Sequence, residues 1–213
     1  MDDPQLSRLR TAVYALLGVA TAASLLGTAL APYLLVKSPL LLVAISPAAH
    51  HVVLAAASVD PAPLVAVATA RRVLTGVAAY GLGFLYGRAA LGWLEQRYPR
   101  LARLVGLVEQ LFARWGVWLL VLAPAPTVAL FAGAARSRFI TFVIAVALGH
   151  ALWNSVTVYV GDAVAVWTDL LTSFVGEHLL ESTLICIALV ALQQTLSRLP
   201  RRRRQADLPL PPS

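Results

Sequence analysis

The stretch "SPLLLVAISPAAHHVVLAAASVDPAP", residues 38–63, decides how this chain meets a membrane. It holds two apolar legs on either side of Pro47, and Asp60, Pro61 and Pro63 end the second leg. Proline lacks a backbone N–H and turns the residue before it away from helical dihedrals, so Pro47 breaks a helix begun near Pro39. At 1.5 Å per residue each leg reaches only about 13 to 17 Å, against a hydrocarbon core of about 30 Å. The spacing predicts a helical hairpin that enters and leaves on one side, not a span.

The pattern recurs. "WGVWLLVLAPAPTVALFAGAA", residues 115–135, is a second apolar segment, broken by Pro124 and Pro126. "LLLVAISPAAHHVVLAAAS" lines up with "WLLVLAPAPTVALFAGAARS", and a full-length apolar run follows each, at 64–87 and 139–167. Two further runs, about 11–36 and 170–198, are long enough to cross; the last carries Glu177, His178 and Glu181 in its first half. Between the repeats, Leu101, Leu104, Val105, Val108 and Leu111 recur at helical spacing opposite arginines, as in an interfacial amphipathic stretch.

The expected organisation is therefore an N-terminal end with the first span (1–37), a central repeat unit (38–167) and a last span (168–199). A basic, proline-rich tail (200–213) follows, expected to be disordered. The central unit comprises hairpin 38–60, span 64–87, linker 88–114, hairpin 115–135 and span 139–167.

Composition agrees with a polytopic membrane protein. Of 213 residues 59% are hydrophobic and 13% charged, and the mean hydropathy is +0.77; a soluble domain carries roughly a quarter charged residues. The lone Cys186 rules out an internal disulfide framework and a thiolate metal cluster. A net charge of +7 suggests nucleic acid only out of context, because most of the 17 basic residues flank apolar runs. There they set topology and attract anionic lipid. "TALAP", residues 28–32, offers the small residues of a signal-peptidase site. The run before it exceeds an ordinary signal core, however, and Pro32 would follow the cut, so an uncleaved first helix is expected.

The arginines decide sidedness. With both broken segments re-entrant and the N-terminus cytoplasmic, every basic residue except Lys37, Arg71 and Arg72 falls on the cytoplasmic side. If both segments crossed, the arginines between 88 and 114 would move outside, against the positive-inside rule. The expected fold is an all-α integral membrane protein of about four transmembrane helices and two re-entrant hairpins related by inverted topology. Both termini are cytoplasmic. In such folds a polar site forms near the midplane, where the broken helices meet.

With these features in order, the chain resembles the DedA family, the bacterial branch of the VTT-domain membrane proteins, over about residues 38–166. The resemblance is carried by "YGLGFLYGR" (80–88), "EQLFARWG" (109–116), "APAPTVALFAGAARSRF" (123–139) and "GHALW" (149–153). It implies a bacterial inner-membrane protein that moves lipids across the bilayer, notably undecaprenyl phosphate or phospholipid, and implies no cofactor. Where members often carry a carboxylate after the first hairpin's proline, this chain has His50 and His51, and "LAPAPTVAL" lacks the arginine pair often found there.

The polar residues within apolar segments are the candidate substrate-binding residues. Arg71 and Arg72 stand inside "VATARRVLTGVAAYG" (67–81), where charge facing lipid costs at least a few kcal/mol. Neighbours on a helix differ by about 100°, so the two point apart. Arg72 shares a stripe with Gly76, Ala79 and Gly83, suited to close packing or a cavity, and arginine's fork matches phosphate. The alternatives are snorkelling to the outer surface or pairing with Asp60.

In the second repeat, His150, Asn154 and Thr157 form one polar stripe. It serves either as headgroup contact or proton relay, or as interhelical hydrogen bonding. His50 and His51 sit at the first hairpin's tip near Asp60, as substrate contacts or as plain helix-end polarity.

No metal site is expected: adjacent histidines rarely share one ion, and "EHLLE" (177–181) has the wrong order for a zinc helix. No glycine-rich phosphate loop or GxSxG elbow appears, so the reading is not enzymatic.

The function expected is movement of an anionic lipid or lipid-linked phosphate. Arg71, Arg72, His50, His51, Asp60, His150 and Asn154 are its contacts, and membrane lipids, not nucleic acid, are the partners. A second copy of the chain is a possible partner. The alternatives are a proton-coupled transporter of a small solute and a non-transporting membrane scaffold.

Overall fold

Prolines set most of the helix boundaries. The computed structural model describes residues 4–97 and 114–206, and these are helical apart from short turns. In order they are α1 (Pro4–Ala29), α2 (Ala31–Lys37), α3 (Pro39–Ile45), α4 (Ala49–Ala56) and α5 (Pro61–Arg97). Then come α6 (114–122), α7 (Pro126–Ala134), α8 (Phe139–Ala163), α9 (Ala165–Glu177) and α10 (Leu179–Ala206). Proline stands in the first turn of α2, α3 and α7, where its missing N–H leaves no helical bond unmade.

Four helices are long and apolar enough to cross a membrane: Leu6–Ala29, Pro61–Gly87, Phe139–Ala163 and Leu179–Ser197. The chain is accordingly a membrane protein. The two central windows are 28% and 33% buried by the rest of the chain, against 11% and 0% for the first and last. α5 and α8 therefore form the centre, and α1 and α10 stand at the periphery.

Both proline breaks occur where the spacing predicts them. α3, of 7 residues, and α4, of 8, flank an extended Ser46–Pro47–Ala48, with Ser46 at φ −133°, ψ 89° and Ala48 at φ −64°, ψ 145°. At about 11 to 12 Å, neither leg reaches across a bilayer core. The second break, 123–125, has Ala125 at φ −92°, ψ 150° ahead of α7. α7 ends in a left-handed cap. Arg136 has φ 52°, its N–H donates to Gly133 O at 3.0 Å, and that of Ser137 to Ala132 O at 3.1 Å.

The second leg of each broken segment packs on the long helix of the other repeat. α7 lies against α5 and α4 against α8. A Cβ at Gly83 would overlap the Leu130 carbonyl, and one at Gly133 would overlap the Tyr80 carbonyl. In the other repeat, a Cβ at Gly161 would stand 2.7 Å from Ala56 Cβ and 2.8 Å from Val53 O. The register that aligns Pro47 with Pro124 also aligns Val53 with Leu130, and brings Gly83 and Gly161 within one residue of each other.

Two buried clusters hold these crossings. One comprises Ala79, Tyr80, Leu120, Ala129, Ala132, Phe142, Ala145 and Val146; the other includes Val43, Val52, Ala55, Leu64, Ala68 and Val158.

Several predicted boundaries move. The first long helix stops at Ala29, because Pro32 forces a turn at Leu30 and a separate α2. The span expected over 139–167 ends at Ala163. The last predicted span is two helices broken at His178, which leaves Glu177 outside the apolar part and starts the crossing segment at Leu179. The tail expected to be disordered is helical through Arg201–Arg204 to Ala206. Most of the linker 88–114 lies outside the described residues, although α5 continues to Arg97.

Candidate functional site

Arg72 and His150 each lie about 17 Å along a crossing helix from its first residue, near mid-depth of the span. They meet at the two proline breaks. A cavity of about 420 Å³ is lined by Arg72, Thr75 and Gly76 of α5, by Val146 and His150 of α8, and by both breaks, Ser46–Ala48 and Pro124–Pro126. No carboxylate lines it among the described residues.

Each repeat ties its own break to its own long helix. Arg72 Nε and Nη2 both donate to Pro47 O, at 3.0 and 2.9 Å, across 25 residues. A carbonyl left free by the break thereby gains a charged donor. In the second repeat, Trp153 Nε1 donates to Leu122 O at 2.8 Å, the last residue of α6. Gly149 admits that end of α6: a Cβ there would stand 2.6 Å from Val121 O and 2.7 Å from Leu120 O.

Arg72 uses one edge on Pro47 O, and Nη1 has no protein acceptor among the described residues. His150 is 8% exposed, and its Nδ1 is buried without a hydrogen-bond partner. Arg72 and the His150 ring thus line one cavity, together with Ser24, Ser46 and Thr75, and the rest of its wall is alanine, proline, glycine and valine. Such a site suits an anion that accepts from the guanidinium.

The other expected contacts are placed elsewhere. Arg71 turns to α1: Nη2 donates to Ala20 O at 2.9 Å and Nη1 to Thr75 Oγ1 at 2.9 Å, so its guanidinium fastens α1 to α5. Neither arginine takes Asp60 as a partner; Asp60 is exposed, and its carbonyl accepts from Leu64 N–H at the start of α5. His50 is exposed, while His51 is buried with Nδ1 at 2.9 Å from Ser46 O, folding the ring back over the break. Neither histidine lines the cavity.

Asn154 is fully buried; its Nδ2 donates to Thr69 Oγ1 at 3.0 Å, joining α8 to α5, and Oδ1 has no partner. Thr157 donates to the Trp153 carbonyl within its own helix at 2.8 Å. The stripe at 150, 154 and 157 therefore divides: His150 faces the cavity, Asn154 the helix interface and Thr157 its own backbone.

Sequence reasoning missed Thr69, Thr75, Ser46 and Trp153. Thr69, Arg72 and Gly76 share a stripe on α5, and Thr75 is one turn from Arg72, so the helical period carried a usable signal. Trp153 stands in "GHALW", but the sequence alone gives no sign that its indole caps the end of α6. No group of three or more metal-ligating side chains occurs among the described residues.

Compared with protein-family models, with curated proteins and with solved structures, the chain matches none.

Proposed function

We propose that this chain moves an anionic lipid headgroup, a phospholipid or a lipid-linked phosphate such as undecaprenyl phosphate, across a bacterial inner membrane, as a divergent member of the DedA family. In this reading α3–α4 and α6–α7 are re-entrant hairpins entering from opposite sides. Their breaks define the half-depth cavity in which a headgroup passes while its acyl chains stay in lipid.

The observation that carries the reading is Arg72. It sits at mid-span in a cavity that no carboxylate lines among the described residues, held by one backbone carbonyl and with donors to spare. Intramembrane charge of this kind is expensive, and an anionic ligand offsets the cost through charge-assisted, bidentate bonds. His150 supplies the second polar contact. Arg71, Asn154 and His51 are positioning residues, which fix α1, the α5–α8 contact and the first break. No catalytic step is assigned.

The test is translocation of labelled undecaprenyl phosphate and of phospholipid by the purified chain in liposomes. Arg72→Ala is expected to lower the rate at least tenfold, since a charged hydrogen bond contributes about 1.5–3 kcal/mol. Arg72→Lys should keep part of the rate, having charge without the fork. Unchanged movement in a monodisperse Arg72→Ala protein would remove the arginine from the mechanism. Uptake of small anions without lipid movement would favour the solute transporter. Activity surviving deletion of residues 200–213 would argue against a scaffold working through its basic tail.

A further inference from the structure

A second cavity, of about 510 Å³, opens where α6 begins and α8 begins. It is lined by Arg114, Trp115 and Trp118 of α6, by Arg138, and by Thr141 and Phe142 in the first turn of α8. We propose that this cavity is a second binding site for the phosphate of an anionic lipid headgroup, which holds the lipid at one membrane surface before it reaches Arg72. This rests on the lipid-transport reading above and names where the substrate is first bound.

Four independent features converge there. Two cations, Arg114 and Arg138, line the cavity, and no carboxylate does so among the described residues. The neighbouring Arg136 is engaged differently: its guanidinium lies 4.8 Å from the centre of the Phe84 ring.

Second, α8 is 25 residues long and starts without a side-chain cap at Arg138 and without an acid in its first turn. Its first N–H groups and its partial positive charge therefore remain available to an anion. Third, Thr141 adds a hydroxyl on the same wall.

Fourth, Trp115 and Trp118 are 51% and 61% exposed beside the start of a crossing helix, where tryptophan occupies the headgroup layer. A headgroup bound there keeps its acyl chains in the bilayer, which is why a lipid rather than a soluble anion is the fitting occupant.

The two cavities are distinct. Thr141 and His150 are about 13 Å apart along α8. The packed cluster containing Leu120, Ala129, Phe142 and Val146 lies between them, with Phe142 and Leu120 lining one cavity and Val146 and Ala129 the other.

The experiment measures which lipid adjoins the tryptophans. The full chain is placed in phosphatidylcholine vesicles doped with brominated phosphatidylglycerol or brominated phosphatidylcholine, and quenching of tryptophan fluorescence gives their relative association. Wild type should favour the anionic lipid, and Arg114→Gln with Arg138→Gln should abolish the preference, with about fivefold lost per arginine. The corresponding Arg→Lys pair should retain it, which separates charge recognition from misfolding.

An unchanged preference in the Gln pair would overturn the proposal. So would loss of the preference when inorganic phosphate is added at matched ionic strength, since the site would then take the free anion. A wild type that shows the preference but moves no lipid would refute the transport reading and leave this site standing.

Discussion

Adjacent arginines in one helix have separate assignments because the helix turns about 100° between them. Arg71 reaches the Ala20 carbonyl of α1, and Arg72 reaches Pro47 O at the cavity. The two single substitutions should therefore separate. Arg71→Ala is expected to lower the thermal stability of the detergent-solubilised protein by about 1.5–3 kcal/mol, the worth of a charged hydrogen bond. Lipid movement should persist at temperatures where the variant is folded. Movement abolished in a fully folded Arg71→Ala protein would return that arginine to the site. Asn154 and Thr69 offer a second residue-scale check. A double-mutant cycle with Asn154→Ala and Thr69→Val should give a coupling of about 0.6 kcal/mol and no more than about 1.7, typical of interhelical hydrogen bonds in membranes. Zero coupling would show that the bond does not join α5 to α8 in solution. The periodicity exposed Arg72 and His150 as candidates, but it did not separate them from His50, His51 and Asp60. Asp60 is set apart by its place at the start of α5, and the two histidines by the way tertiary packing turns them away from the cavity.

At the scale of elements, the crossings of α7 on α5 and of α4 on α8 leave no room for a methyl group. Gly133 faces the Tyr80 carbonyl, and Gly161 faces Val53 and Ala56. Gly133→Ala and Gly161→Ala are each expected to destabilise by about 1–3 kcal/mol through overpacking, measured as a lower unfolding temperature by size-exclusion monodispersity. At Gly18 on α1 an added methyl would meet nothing within 4 Å, so Gly18→Ala serves as the neutral control. Equal effects at all three positions would show that helix propensity, not the crossings, governs the response. The breaks themselves were legible, since proline acts locally. The partners of the broken legs were not, because an alanine- and valine-rich leg fits any smooth helix face, and only glycines placed opposite each other select one.

For the whole molecule, the proposed re-entrant arrangement predicts which ends share a side. In a chain with Cys186 replaced, new cysteines at Ser38 and Ser58, both exposed, should react with an impermeant maleimide from one face of the membrane. Cysteines at Arg114 and Ala135, also exposed, should react from the other. Ser38 and Ser58 labelling from opposite faces would convert the first broken segment into a span and remove the inverted repeat. The sequence by itself determined that the chain is helical and membrane-embedded, that four runs can cross, and that Pro47 and Pro124 interrupt two others. These follow from local chemistry: apolar length, the missing proline N–H and the cost of charge in lipid. Only the tertiary structure decided that both breaks meet at one cavity and that Arg72 rather than Arg71 enters it. It also decided that His150 faces that cavity while Asn154 faces a helix, and that the last predicted span is broken at His178. Those outcomes depend on which helix covers which face, a contest among nearly equivalent apolar surfaces that close glycine contacts and a few directed hydrogen bonds resolve.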